Sequence, residues 1–145
     1  MTSAVNPDHI LVRTFMTGAG EAVAVDTNPL FKALNTTLLA IDGQTVTLRF
    51  EPGDLFRQGS GVVQGGAISA MLDFAMAFAA MTVVEPPSSV STTAINTSFY
   101  GAGRGKVYEA VGTVEKAGRR VVFTAATLSC DGKEIAAATS TLLVV

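Results

Sequence analysis

The chain has no tryptophan, a single cysteine, a single histidine, and charged side chains at only 15% of its positions. One thiol, Cys130, cannot close an intrachain disulfide. With His9 as the lone imidazole no four-ligand zinc site can assemble, so no metal centre is expected. The ten Lys and Arg are fewer than the twelve Asp and Glu, for a net charge of −2, and they cluster nowhere beyond Arg119-Arg120. Nucleic acid, which is gripped by a basic stripe, is therefore not an expected partner. The opening MTSAVNPDHILVRTF lacks the basic-then-apolar order of a secretion signal. Together with the cysteine count, that points to a reduced, cytoplasmic setting.

What remains is apolar. Hydrophobic residues fill 48% of the 145 positions, while charge falls well below the roughly 25% of an ordinary soluble domain. A chain this long buries about 70% of its unfolded surface and holds together without a staple. The little charge present covers the exterior poorly, which predicts that part of the apolar surface is buried against a second copy of the chain.

No repeat or low-complexity linker divides the sequence. Residues 7–17 read as a short helix with Asn6 as cap, Pro7 in the first turn, and Ile10, Phe15 and Met16 facing inward. His9, in a polar Pro-Asp-His run, reads as a surface residue. Residues 18–27 read as irregular, and Asn28-Pro29 opens a second short helix over 29–34. Runs 36–41 and 45–51 are strand-like and joined through Asp42-Gly43, a hairpin signal. Val46, Leu48 and Phe50 alternate with Thr45, Thr47 and Arg49, so one face of the second run is wet. A glycine-rich loop over 52–66 precedes a helix over 67–84, which Glu85-Pro86-Pro87 stops. Four more extended runs, 91–100, 107–116, 119–130 and 134–145, have links short enough for antiparallel neighbours. The order predicts an α+β fold, one antiparallel sheet wrapped around one long central helix.

That helix, AISAMLDFAMAFAAMTVV, is apolar nearly all round. It is barely long enough to be weighed as a membrane span, and Asp73 near its middle would cost roughly 3 kcal/mol there. A buried core helix is the better reading, with no membrane partner. Its alanines would let sheet and helix approach closely.

Asp73 is the anomaly. Aspartate is rarely buried unpaired, and no cation stands three or four residues away along the helix. The plain alternative is a carboxylate satisfied by Ser or Thr at an exposed helix edge. A charge in apolar surroundings more often marks a site, here a nucleophile or general base. Gly65-Gly66 leave the first helical N–H groups unobstructed at the positive end of the dipole, where a carbonyl oxygen gaining charge can be held. Asp73 lies eight residues beyond Gly65, or about 12 Å along a helix, whereas a base works at about 3 Å or through one water. One chain's Asp73 therefore cannot serve its own Gly65. Two antiparallel chains can, so composition and geometry both ask for a dimer with shared sites.

The string GVVQGGAISAMLDFAMAFAAM resembles the G-x-V-H-G-G-x-x-x-x-L-x-D motif of hot-dog-fold acyl-CoA thioesterases, in the branch with phenylacetate-pathway and hydroxybenzoyl-CoA thioesterases. The likeness spans residues 28–145, includes INTSFY (like the family's N-x-x-F) and the hairpin EKAGRR, and leaves 1–27 as an N-terminal extension. It implies a hot-dog fold and hydrolysis of an aryl or medium-chain acyl-CoA to free acid and CoA. It also implies a homodimer, paired again into a homotetramer, with no cofactor beyond the substrate's own CoA. By position, Gly65 supplies the N–H for the thioester carbonyl and Asp73 of the opposite chain the carboxylate. Gln58 and Ser91 position the water, while Gly66, Phe74 and Asn96 contact the substrate. Arg104, Arg119 and Arg120 are candidates for the CoA phosphates. Gln64 stands where the motif has histidine; it can hydrogen-bond but cannot titrate.

A thiol leaving group, with a pKa of about 8.5, departs without a proton. One carboxylate and one oxyanion donor therefore suffice. A hydratase of the same architecture would need a catalytic histidine, and His9 lies in the extension. A non-catalytic acyl-CoA binding protein is the remaining alternative, consistent with the missing motif histidine.

Overall fold

The computed structural model describes residues 4–145; residues 1–3 of the expected N-terminal extension lie outside the described residues. Helix α1 (Pro7–Thr17) is followed by β1 (Val23–Val25), α2 (Pro29–Ala33), β2 (Thr36–Asp42) and β3 (Thr45–Phe50). The long helix α3 (Gly65–Met81) precedes β4 (Val90–Phe99), β5 (Tyr108–Ala117), β6 (Val121–Cys130) and β7 (Lys133–Val144). The strands form one antiparallel seven-stranded sheet in the order β1-β2-β3-β5-β6-β7-β4. The sheet wraps around α3, which is the hot-dog arrangement.

Alternation explains the wrapping. Val46, Leu48 and Phe50 of β3 and Val122, Thr124, Ala126 and Leu128 of β6 point inward and are buried. They close on Met71, Leu72, Ala75, Met76 and Phe78 of α3, all buried. Among the described residues no helix is long and apolar enough to cross a membrane.

Small residues set the spacing between the layers. A Cβ built on Gly112 of β5 would lie 2.3 Å from the Ala75 carbonyl oxygen and 2.5 Å from its carbon. Both contacts are to α3 backbone, which cannot turn aside. Gly112→Ala is expected to lower the unfolding free energy by about 3 kcal/mol, the upper range for overpacking a core. Urea unfolding checks this; an unchanged midpoint would mean that the layers have slack.

Several expectations need correction. Ile10 and Met16 of α1 are 52% and 41% exposed, whereas His9 and Val12 are buried. The cause is where α1 docks. His9 Nε2 donates to the Val84 carbonyl at 2.8 Å, and Arg13 donates to the same oxygen and pairs with Glu85. These donors meet the Val84 carbonyl just beyond the C-terminal end of α3, where positive partners are favoured. The segment expected to be irregular contains β1, which borrows its order by pairing Val25 with Thr36.

α3 starts two residues earlier than expected, taking both glycines into its first turn. It ends at Met81, where Thr82 Oγ1 caps the Ala79 carbonyl ahead of the prolines. β4 is not beside β5: it pairs with β7 and forms the sheet's far edge. Two intervening strands put β4 and β5 about 14 Å apart, and the link over 101–106 spans that gap, tied to the Ile135 carbonyl by Tyr100 and Gly101.

Candidate active site

Gln64 caps α3 through its backbone alone, with no side-chain cap bond. The N–H groups of Gly65 and Gly66 have no backbone acceptor among the described residues. Two donors therefore stand free at the positive end of a seventeen-residue helix. They open on a cleft of about 330 Å³ lined by Gln58, Val62, Val63, Gln64, Gly65, Ile68, Phe99 and Gly101. Its walls are apolar and its polar groups few, as suits an organic ligand.

Gln58 reaches this cleft from a tight loop. Its backbone N–H bonds to the Val62 carbonyl at 2.8 Å, and its Oε1 accepts from Ser60 N–H at 2.8 Å. The NH₂ group has no partner among the described residues and is available as a donor. Arg57 fixes the loop by donating to the carbonyls of Gly61, Arg104 and Gly105 at 2.9, 3.3 and 2.7 Å. Nothing in its sequence surroundings marked Arg57.

The carboxylate sits elsewhere. Asp73 is half-buried on α3 and accepts a bond of 2.8 Å from Thr92 Oγ1 of β4. That bond leaves its second oxygen available. Ser91, the predicted hydroxyl, is exposed, and neighbouring strand residues point to opposite faces. Thr92, its neighbour, is the residue that bonds to Asp73. Strand alternation was the available signal, obscured by the bulge between Thr92 and Ala94.

Gln58, Gln64 and Gly65 are thus brought together, with Gly66 exposed beside them, and Asp73 is not. Phe74 stacks on Phe31 with ring centroids 3.8 Å apart, which places it against the core rather than in the cleft. Asn96 lines a groove of about 570 Å³ with Ser98, Thr113 and Thr127, on the sheet face away from α3, because Thr97 between them reaches Ser69 of the helix. Arg104 is exposed and donates to the Ser60 carbonyl beside the Gln58 loop. Arg119 and Arg120, also exposed, lie beyond the other end of β5, about 33 Å of strand away.

The thioesterase superfamily model matches residues 60–137, more than half of the chain and the stretch from the Gln58 loop into β7. The chain belongs to the thioesterase superfamily. A phenylacetic acid degradation-related protein from Ralstonia eutropha JMP134 is similar to this thioesterase at 30% identity, with a TM-score of 0.76 over 81% of this chain and 93% of that one. A thioesterase family protein from Silicibacter pomeroyi shares the fold at 24% identity and a TM-score of 0.79, covering 92% and 95% of the two chains. A Bacillus halodurans protein solved with CoA shares it at 23% identity and a TM-score of 0.66, covering 68% and 66%. No curated protein matches. The thioesterase is a thioester hydrolase.

Proposed function

We propose that this thioesterase hydrolyses acyl-CoA at sites completed by a second chain, the Gly65 N–H holding the thioester carbonyl and Asp73 of the partner subunit supplying the carboxylate. One juxtaposition carries the reading. Gly65 lies against Phe99 at one end of β4, and Asp73 bonds to Thr92 near the other. β4 is an edge strand with its outer side unpaired, a template for strand addition. Thr92 and Phe99 stand symmetrically about the Ile95–Asn96 peptide. Two copies of β4 paired antiparallel about a twofold axis there would set Thr92 of one chain beside Phe99 of the other, and so bring Asp73 to Gly65 across the seam.

The chemistry then balances. Either the carboxylate bonds to the carbonyl carbon, or it takes a proton from a water whose oxygen does so. In both cases the carbonyl oxygen gains charge against Gly65, the C–S bond breaks and CoA leaves as thiolate. In the first case water then hydrolyses the anhydride. The NH₂ of Gln58 orients the carbonyl or the water. Arg104 at the rim, and Arg119 and Arg120 of the neighbouring chain, are the cations for CoA phosphates. Pairing of two dimers into a tetramer would cover further apolar surface, including half-exposed Phe123 and Val111.

The test is release of free thiol from a panel of aryl- and alkyl-CoA esters. Turnover is expected on at least one. Binding of the esters without any release would favour the non-catalytic binding protein instead.

A further inference from the structure

The Phe99 ring is not part of the core. It is 51% exposed on the edge strand, and the side chains that fill the core do so without it. Its near neighbour is Gly65: a Cβ built on that glycine would stand 3.4 Å from Cε1 and Cζ of the ring. The ring therefore stands beside the residue whose amide is free, with room for about one carbon between them. Gly65 has no positive φ, and 3.4 Å is ordinary contact, so the backbone itself does not demand glycine there.

A carbonyl oxygen bonded to the Gly65 N–H at about 2.9 Å carries its neighbouring carbons into van der Waals range of this ring. Polarity decides which side of the thioester lies there. Phe99, Val62, Val63 and Ile68 give the cleft its apolar lining, and Gln58, with Arg104 beyond it on the Ser60 carbonyl, gives polar lining. The acyl group belongs on the apolar wall and the CoA arm on the polar one.

We propose that Phe99 is a specificity-determining residue, its ring excluding acyl groups that branch at the carbon next to the thioester carbonyl while accepting flat or unbranched ones. The inference rests on the thioesterase reading above, with Gly65 as carbonyl donor. The space between Gly65 and the ring takes about one carbon atom in ordinary contact, so an unbranched acyl carbon fits there and a second substituent on it meets the ring.

The experiment compares kcat/KM for butyryl-CoA and 2-methylpropanoyl-CoA in the wild type, Phe99→Ala and Phe99→Leu. The wild type is expected to favour the unbranched ester by about tenfold or more, the scale set by a misplaced methyl group. Phe99→Ala should bring the ratio to about twofold by raising turnover of the branched ester, and Phe99→Leu should fall between. The Leu variant also carries the test should the Ala variant fold poorly. Thiol release with the same ratio in all three proteins overturns the role of Phe99 alone. No release from either ester by the wild type removes the thioesterase reading and this inference with it.

Discussion

Asp73→Asn is expected to lower kcat for thiol release by about 10²- to 10⁴-fold, the contribution of a positioned carboxylate acting as base, with KM little changed. Asn keeps the size of Asp, and its carbonyl oxygen can still accept the Thr92 hydroxyl, which the native carboxylate receives at 2.8 Å. Packing against α3 and β4 is thus preserved, and the unfolding midpoint should stay within the small range of a surface change. What is lost is a charge that can attack carbon or take a proton. A fall in kcat without a fall in stability separates chemistry from support. If turnover were equal in the two proteins, Asp73 would be a helix-edge carboxylate satisfied by threonine and nothing more.

Gly65→Pro is expected to cost about 10²- to 10³-fold in kcat, the loss seen when one oxyanion donor is removed. The substitution deletes the N–H and adds three ring carbons, of which Cβ would stand in ordinary contact with Phe99. Gly65 is the first helical residue, the position where proline fits best because its missing N–H has no helical partner. Gln64 before it is extended, at φ −63 and ψ 143, which is the conformation a following proline requires. Gly65→Ala keeps the donor and adds a methyl in ordinary contact with Phe99. It should lose far less activity than the proline variant. Equal losses would mean that space rather than the amide hydrogen is what Gly65 contributes.

Much of this architecture is legible in the chain because its signals are long and periodic. The helix of α3, the Asp42-Gly43 hairpin and the last three strands follow from apolar runs and turn residues that tertiary context did not need to override. The misses share a physical cause: each depends on a neighbour that local pattern does not name. β1 is three residues long and exists because β2 accepts it. His9 is buried because Val84 offers it a carbonyl. A short link permitted β4 to sit beside β5, and the edge next to β7 won.

The site divides the same way. Asp73 stands out as a charge in an apolar helix, and Gly65 gains meaning from the helix that follows it and from the motif. The eight-residue step between them excludes action within one chain. Thr92 beside Asp73, Asn96 on the outer face and Phe99 near Gly65 turn on which way single strand residues point. A bulge between Thr92 and Ala94 shifts that phase mid-strand, so alternation counted from the sequence does not carry through.

The sharing of each site between two chains is tested most directly by mixing. Asp73→Asn and Gly65→Pro proteins, carrying different affinity tags, are refolded together, and the doubly tagged hybrid is assayed for thiol release. In a hybrid dimer the intact Gly65 of one chain faces the intact Asp73 of the other at one of two sites. The unfractionated mixture should therefore regain about a quarter of the wild-type rate from two nearly inactive parents, as twofold symmetry dictates. Purified hybrid with no activity above its parents would show that each chain works alone, and would contradict the account.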